Sequence, residues 1–74
     1  MAVKNDPIER LVAEIVAYQE QRELTDQQIA DELECPRSTW AALRLGLFRP
    51  GRKLLVKIAK NARFKDAAMK ALMS

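Results

Sequence analysis

The stretch TDQQIADELECPRSTWAALRLG, residues 25–46, decides the fold because it carries two short helix patterns separated by a break. Thr25 is a good N-cap, and Gln28, three residues later, completes a capping box for the first helix. The apolar positions of that helix share one face and are Ile29, Ala30 and Leu33. The pattern therefore predicts a short helix that stops before Pro36, because proline cannot continue it.

A second helix is predicted over about residues 36–45, where Gly46 supplies a left-handed C-terminal stop. Trp40 and Leu43, three positions apart, mark its buried side. Two helices joined by about three residues, the second with polar side chains at its start, have the spacing of a helix-turn-helix. In that motif the second helix lies in the DNA major groove, and its first residues reach base edges.

The flanking segments also read as helices. Asp6 is an N-cap for a first helix over residues 7–22, which has proline at its first position. A fourth helix is predicted over about residues 52–61, and a final helix, capped by Asp66, continues to about residue 73. Residues 1–74 are therefore predicted to form one compact all-α domain of five helices, with the helix-turn-helix at helices two and three.

Apolar residues at helical spacing mark the inward faces of the flanking helices. They are Ile8, Leu11, Val12, Ile15 and Tyr18 in helix one, Leu54, Leu55, Ile58 and Ala59 in helix four, and Ala68, Met69 and Leu72 in helix five. Gln19 falls with the acidic residues on the outer face of helix one. Met69, Leu72 and Met73 have a second interpretation as a dimer seam.

The basic residues are concentrated in one half of the chain. Residues 1–34 carry three basic and nine acidic residues, a net charge of −6, whereas residues 35–74 carry ten basic residues and one acidic residue, a net charge of +9. A small domain with one strongly basic half is typical of proteins that bind a polyanion. The alternative is a solvated surface of mixed charge.

The composition excludes several classes of function. The chain has no histidine and one cysteine, Cys35, which excludes histidine-dependent catalysis, thiolate metal sites and an internal disulfide. It also lacks a glycine-rich phosphate loop, so we predict no enzymatic activity, no cofactor or metal, and no small-molecule ligand. One free cysteine fits a reducing compartment, and no apolar run approaches the ~20 residues that cross a bilayer. We therefore expect a cytoplasmic, nucleoid-associated protein without a membrane partner.

The longer stretch LTDQQIADELECPRSTWAALRLGLFRPG, residues 24–51, resembles the helix-turn-helix of lambda-repressor-like proteins of the Cro/repressor, xenobiotic-response-element type. The matching positions are Thr25, Ala30, Leu33, Arg37, Ser38, Thr39, Trp40, Leu43 and Gly46. The family has one helix before the motif and two after it. The resemblance implies a phage or bacterial repressor or activator that binds specific sequences of double-stranded DNA. Because a monomer presents one recognition helix, we expect a homodimer on a two-fold site with half-sites about 34 Å apart.

Three positions depart from the family pattern. Glu34 stands at the turn where glycine is usual, and a left-handed conformation there costs a non-glycine residue roughly 1 kcal/mol. Pro36 replaces the usual polar cap of the recognition helix. Asp26 replaces a glutamine that contacts the DNA backbone in many members. Since an acidic side chain repels phosphate, we expect Gln27 or the start of helix two to make that contact.

The residues predicted to contact bases are Arg37, Ser38, Ala41 and Ala42. Arg37 can donate two hydrogen bonds to guanine O6 and N7, and its alternative is a phosphate contact. Ser38 is short and can reach a base edge or a phosphate. The two alanines allow close approach to base edges and contact with thymine methyl groups. Their alternative is that they are good helix formers on an exposed surface.

Phosphate contacts are assigned to Thr25, Gln27, Thr39, Arg44, Arg49, Arg52 and Lys53. Thr39 is also expected to support the start of its helix. The family resemblance places Arg49, Arg52 and Lys53 along the DNA backbone. Positive charge at a helix start is unfavourable for the helix dipole, so Arg52 and Lys53 carry a small energetic cost unless an anion is present.

Two other classes of function stay open. An antitoxin-like or accessory module would use its helices chiefly to bind another protein, with DNA binding secondary, and would expose a large apolar patch. Binding of RNA or single-stranded DNA depends on aromatic stacking. The chain has only four aromatic residues, Tyr18, Trp40, Phe48 and Phe64, which argues against that second class.

Overall fold

The computed structural model describes residues 6–73, and within them the chain forms five α-helices and no β-strand. The helices are α1 (Pro7–Arg22), α2 (Asp26–Leu33), α3 (Arg37–Arg44), α4 (Arg52–Ala59) and α5 (Lys65–Met73). The predicted all-α fold is therefore confirmed for this part of the chain. The helix bounds agree with the prediction within one residue, except that α4 ends two residues earlier and α5 begins two residues earlier.

The start of α5 differs from the prediction. The helix begins at Lys65, so Asp66 lies in its first turn and is not its N-cap. The reason is that the carbonyl of Phe64 accepts the first intrahelical hydrogen bond, from the N–H of Ala68 at 2.9 Å. The side chain of Phe64 is buried in the core, which fixes the backbone at this point.

The first two helices satisfy their own N-termini. Asp6 Oδ1 accepts a hydrogen bond from the N–H of Ile8 at 2.9 Å, and proline occupies the first position of α1. The predicted capping box opens α2: Thr25 Oγ1 accepts from the N–H of Gln28 at 3.1 Å, and Gln28 Oε1 accepts from the N–H of Thr25 at 2.8 Å. Both starts are thereby locked by side chains next to them in sequence.

The same two helices end on glutamates in the left-handed conformation. Glu34, after α2, has φ 59°, as expected for a turn at this position, and Glu23, after α1, has φ 55°, which was not predicted. The next residues close each turn, since Leu24 N–H donates to the carbonyl of Gln19 and Cys35 N–H donates to that of Ala30. Both glutamates therefore occupy a conformation that favours glycine.

The core is built from all five helices and the loop before α5. Its buried residues are Leu11, Ile15, Ile29, Ala30, Leu33, Trp40, Leu43, Leu55, Ile58, Phe64, Ala67, Ala68 and Ala71. α3 packs on α1 and α2, while α5 packs on α1 and α4. Because burial of one large apolar side chain contributes about 1.5–3 kcal/mol, Leu11 and Ile15 of the shared helix α1 are expected to hold both groups together.

α5 enters the core through alanines. Ala67, Ala68 and Ala71 are buried, whereas Met69, predicted to face inward, is exposed. Met69 is two positions from both Ala67 and Ala71, and two positions correspond to a rotation of about 200° around a helix. The prediction for Met69 is wrong because the buried alanines mark the inner face of this helix, with the half-buried Leu72 beside them.

Candidate nucleic-acid interface

The start of α3 is open to solvent. Arg37 and Ser38 are exposed, and their side chains have no partner within residues 6–73. Pro36 is the N-cap residue and provides no side-chain hydrogen bond. Its carbonyl accepts from the N–H groups of Thr39 and Trp40 at 3.0 and 3.2 Å. The backbone N–H groups of Arg37 and Ser38 thus remain available to a ligand.

The other side of α3 is fixed in the core. Trp40 is fully buried and Leu43 nearly so, as predicted. Thr39, Ala41 and Ala42 are half-buried, so they offer less surface than Arg37 and Ser38 do. The four residues predicted to contact bases lie on a helix of eight residues, with the charged and polar pair at its exposed end.

A chain of polar contacts connects Trp40 to Arg44 through α1 and α2. Trp40 Nε1 donates to Gln19 Oε1 at 3.2 Å. Gln19 Nε2 donates to Asp26 Oδ1 at 2.9 Å and to the carbonyl of Leu24 at 3.1 Å. Arg44 completes the chain with an ion pair to Asp26 Oδ2 at 2.9 Å.

This network corrects the prediction that Gln19 faces outward. Gln19 is half-buried because the indole N–H of a buried tryptophan needs an acceptor, which its amide oxygen supplies. The signal in the sequence was indirect: once Trp40 is assigned to the core, some polar side chain must enter the core region with it. Helical spacing alone gives no indication of which one.

Asp26 is held in its charged form. The hydrogen bond from Gln19 lowers the pKa of the Asp26 carboxyl, and Arg44 lowers it further, while partial burial opposes the shift. Arg44, predicted to contact a phosphate, therefore already has an acidic partner. In return, the Asp26 carboxylate faces a guanidinium and does not present an unpaired charge to an approaching polyanion.

Three other residues predicted to contact phosphate also have internal partners. The hydroxyl and backbone of Thr25 are engaged in the capping box, and Gln27 Nε2 donates to Asp31 Oδ1 at 2.9 Å. Arg49 pairs with Asp6 Oδ2 at 3.0 Å. That contact, with the N–H of Ile8, holds the pKa of Asp6 below its ordinary value. Gln27 and Arg49 are exposed, so water or another anion can replace these contacts.

The start of α4 repeats the features of the start of α3. Gly51 is the N-cap residue without a side-chain hydrogen bond, and no acidic residue lies in the first turn of this helix. Arg52 and Lys53 are exposed there, and neither has a partner in the described part of the chain. Two helix starts thus combine open N–H donors with unpaired basic side chains.

A basic face continues along α4 from this end. Lys53, Lys57 and Lys60 are exposed and lie three or four positions apart, which puts them on one side of the helix. Lys57 Nζ donates a hydrogen bond to the carbonyl oxygen of Glu34 at 3.4 Å, so this face borders the turn that leads into α3. We call the following exposed residues the basic surface: Arg37, Ser38, Arg52, Lys53, Lys57 and Lys60.

Cys35 lies in the same turn and is half-buried. Burial raises the pKa of its thiol, and the nearby ammonium of Lys57 opposes this shift only in part. The thiol is therefore protonated at neutral pH and is a weak nucleophile.

Residues 6–73 contain no cluster of three or more histidine, cysteine or acidic side chains arranged to hold a metal ion. In the same range, no helix has the length and apolar character needed to cross a membrane. Comparison of the chain with protein-family models, with curated proteins and with solved structures gave no match.

Proposed function

We propose that the chain is a non-enzymatic, sequence-specific regulator of transcription that binds double-stranded DNA, as a lambda-repressor-like homodimer in the cytoplasm. The observation that carries the proposal is the basic surface, where two helix starts hold unpartnered arginines and no capping side chain. Helix N-termini favour phosphate through their open N–H groups and dipole. Arginine adds a guanidinium that matches phosphate and guanine geometry.

Sequence reading is assigned to α3 as the recognition helix. Three residues separate α2 from α3, the two helices pack together, and Trp40 anchors α3 to the core. This arrangement supports a helix-turn-helix in which Arg37 and Ser38 enter the major groove first. The half-buried Ala41 and Ala42 follow and keep the groove-facing side of the helix small.

Affinity is assigned chiefly to phosphate contacts. Arg52 and Lys53 have no internal partner among the described residues and can bind phosphate at once. Arg44 and Arg49 reach phosphate only by exchanging a carboxylate for it. Thr25, Gln27 and Thr39 add uncharged contacts to the backbone. Each neutralised phosphate contributes about 0.9 to the slope of log affinity against log salt, so binding should weaken steeply as salt rises.

Selection of bound sequences from a random duplex pool, run at two ionic strengths, tests the proposal. We expect an enriched two-fold sequence and an affinity that falls with salt. Single-stranded DNA and RNA serve as competitors and should compete poorly. Failure to enrich any duplex, or equal competition by single strands, would contradict the proposal.

A second candidate, a protein-interaction or antitoxin-like module, is favoured by one observation. Leu45, Leu47 and Phe48 are exposed together after α3. A module of this kind would retain its main partner at high salt, since apolar contacts are not screened. The salt dependence of the main interaction therefore separates the two candidates.

A further inference from the structure

An open apolar groove of about 640 Å³ lies between α1 and the segment that follows α3. Its apolar lining consists of Ile8, Val12, Ala13, Val16 and Ala17 on the α1 wall and Leu43, Leu45 and Phe48 on the opposite wall. Leu45, Leu47 and Phe48 are 62%, 72% and 41% exposed. They account for three of the six exposed large apolar side chains in residues 6–73, and they lie within four consecutive positions. Clustering of this kind marks an interaction surface.

The two walls of the groove carry opposite charges. Glu9 and Glu20 belong to the α1 wall, whereas Arg44 and Arg49 belong to the opposite wall. A two-fold contact whose axis runs along the groove places each wall opposite the other wall of the second copy. In that contact the charged lining residues of the two copies are complementary, and Arg44 and Arg49 exchange their internal partners, Asp26 and Asp6, for Glu9 and Glu20 of the second copy.

This face also has an exposed apolar side chain outside the groove lining. Leu47 is strongly exposed and does not line the groove, although its neighbour Phe48 does. Ala13 and Ala17, one turn apart on the α1 wall, are exposed and small. In a two-fold contact, Leu47 of each copy can enter the groove of the other copy next to these alanines.

We infer that this face binds a second copy of the chain. The biological role of this dimer rests on the proposed function, because a dimer brings two recognition helices to one DNA site. The dimer contact itself does not depend on DNA binding. It differs from the dimer seam suggested by the sequence, which lies on α5 at Met69, Leu72 and Met73. The two surfaces can be tested separately, since Met73 is 82% exposed and does not line the groove.

Sedimentation equilibrium of the full chain without DNA tests the inference. The wild-type protein should form a reversible dimer. Leu45→Glu should weaken it by at least about tenfold, because it places an unpaired charge in an apolar contact. Met73→Glu introduces the same charge on α5 and should leave the dimer unchanged. Thermal unfolding should show that both variants stay folded, as expected for exposed positions.

A charge reversal tests the pairing of the walls. Glu9→Arg and Arg49→Glu should each weaken the dimer, since each places like charges opposite one another across the two-fold contact. The double variant should restore the dimer, although it also removes the ion pair of Arg49 with Asp6. Restoration would support a groove-to-groove contact, and its absence would contradict the assigned pairing.

A wild-type chain that stays monomeric at all concentrations would overturn the inference, as would dissociation by Met73→Glu and not by Leu45→Glu. Duplex binding measured in parallel separates this result from the proposed function. A monomer that binds a specific duplex would keep the proposed DNA binding and reject the surface. A dimer that binds no duplex would keep the surface and reject the DNA binding.

Discussion

The starts of α1 and α2 differ from the starts of α3 and α4 in both capping and charge. Asp6 caps α1, Thr25 and Gln28 cap α2, and each helix has an acidic residue in its first turn. Pro36 and Gly51 open α3 and α4 without a side-chain hydrogen bond, and basic residues follow. The first pair of helix starts has both side-chain acceptors and negative charge from neighbouring residues. The second pair lacks acceptors for its N–H groups and sets cations against the helix dipole, and an anion would relieve both deficits.

This difference separates the part of the chain that stabilises the fold from the part that is available for binding. A missing cap costs about 0.5–2 kcal/mol, or only a few tenths where glycine is the N-cap as at Gly51, and a cation in the first turn adds about 0.3–1 kcal/mol. For a small domain these amounts are a measurable fraction of the free energy of unfolding.

The largest effect is expected from the two unpartnered arginines. Arg37→Ala should lower affinity for the selected duplex by about 1–3 kcal/mol, because a bidentate contact to guanine is lost, and should leave binding to random duplex nearly unchanged. Arg52→Ala should weaken binding to every duplex alike and reduce the salt slope by about one, because a phosphate contact is lost. Fluorescence anisotropy at several salt concentrations measures both quantities.

Each arginine variant serves as the control for the other. Since both side chains are exposed, unpaired and opposed to the helix dipole, neither change should lower thermal stability, and each should raise it by at most about 1 kcal/mol. A uniform loss with Arg37→Ala on all duplexes would make it a phosphate contact and would remove the distinction between the two helix starts.

A second variant gives α4 the kind of start that α1 has. A Cβ added at Gly51 meets no atom within 4 Å, and its backbone is extended, so Gly51→Asp fits without strain. The new carboxylate can cap α4 and offset its dipole, which should raise the free energy of unfolding by about 1 kcal/mol. Because the carboxylate occupies the proposed phosphate position, duplex affinity should fall by about tenfold or more.

Gly51→Ser is the matched control for this change. It supplies a capping oxygen without a charge, so it should raise stability by a smaller amount and weaken duplex binding less than Gly51→Asp does. Urea unfolding and duplex affinity are measured for both variants. If Gly51→Asp binds duplex as tightly as the wild type, the start of α4 does not contact phosphate.

The contrast between helix starts shows how much of this molecule its sequence predicts. Capping residues act on backbone groups two or three positions away, so Asp6, Thr25 and Gln28 could be assigned from the sequence alone. The left-handed turn at Glu34 follows instead from the family resemblance, in which glycine is usual at that position. The end of α1 has no such counterpart, so the left-handed conformation of Glu23 was not predicted.

The side chains of the candidate site were less predictable. Exposure of Ser38 follows from the burial of Trp40 two positions away, about 200° around the helix. Arg37 lies three positions before Trp40, on the same side by helical spacing, and its exposure at the first position of α3 is not predicted by that spacing. The ion pair of Arg44 with Asp26 joins residues 18 positions apart, and that of Arg49 with Asp6 joins residues 43 positions apart. Such contacts depend on how helices pack, and helical spacing contains no information about them.

A smaller effect is expected from a substitution of Asp26, whose carboxylate holds the guanidinium of Arg44 in an ion pair. In Asp26→Asn the amide oxygen can still accept from Gln19, so the polar network to Trp40 is retained, but the guanidinium of Arg44 loses its anion. Duplex affinity should rise severalfold, because Arg44 can bind phosphate without first giving up its carboxylate partner. Unchanged affinity would mean that Arg44 makes no phosphate contact.

The stability of the Asp26→Asn variant as a function of pH provides a second test. The folded-state pKa of Asp26 is lowered, so its contribution to stability is present above the ordinary pKa and is lost as pH falls below about 4. Asp26→Asn removes that contribution and should reduce the loss of stability in acid. Part of the loss of stability in acid should persist in this variant, because the pKa of Asp6 is also lowered. Asp6→Asn is the matched comparison.

The smallest effect concerns the turn that joins the capped helix α2 to the uncapped helix α3. Glu34→Gly should raise the free energy of unfolding by about 0.5–1 kcal/mol, because glycine relieves roughly 1 kcal/mol of left-handed strain and gives back part of it through the entropy of the unfolded chain. Glu23→Gly, in the same conformation after α1, should give a similar gain. Urea unfolding measures both.

Duplex binding should then distinguish the two glycines. The carbonyl of Glu34 accepts a hydrogen bond from Lys57, which places Glu34 beside the basic surface. Loss of the negative charge of Glu34 should therefore raise duplex affinity slightly, whereas Glu23→Gly should not change duplex affinity. The backbone contact to Lys57 persists in either variant. Should Glu34→Gly lower stability while Glu23→Gly raises it, the Glu34 side chain must stabilise the turn more than its strain costs. The start of α3 would then depend on the charged side chain of Glu34.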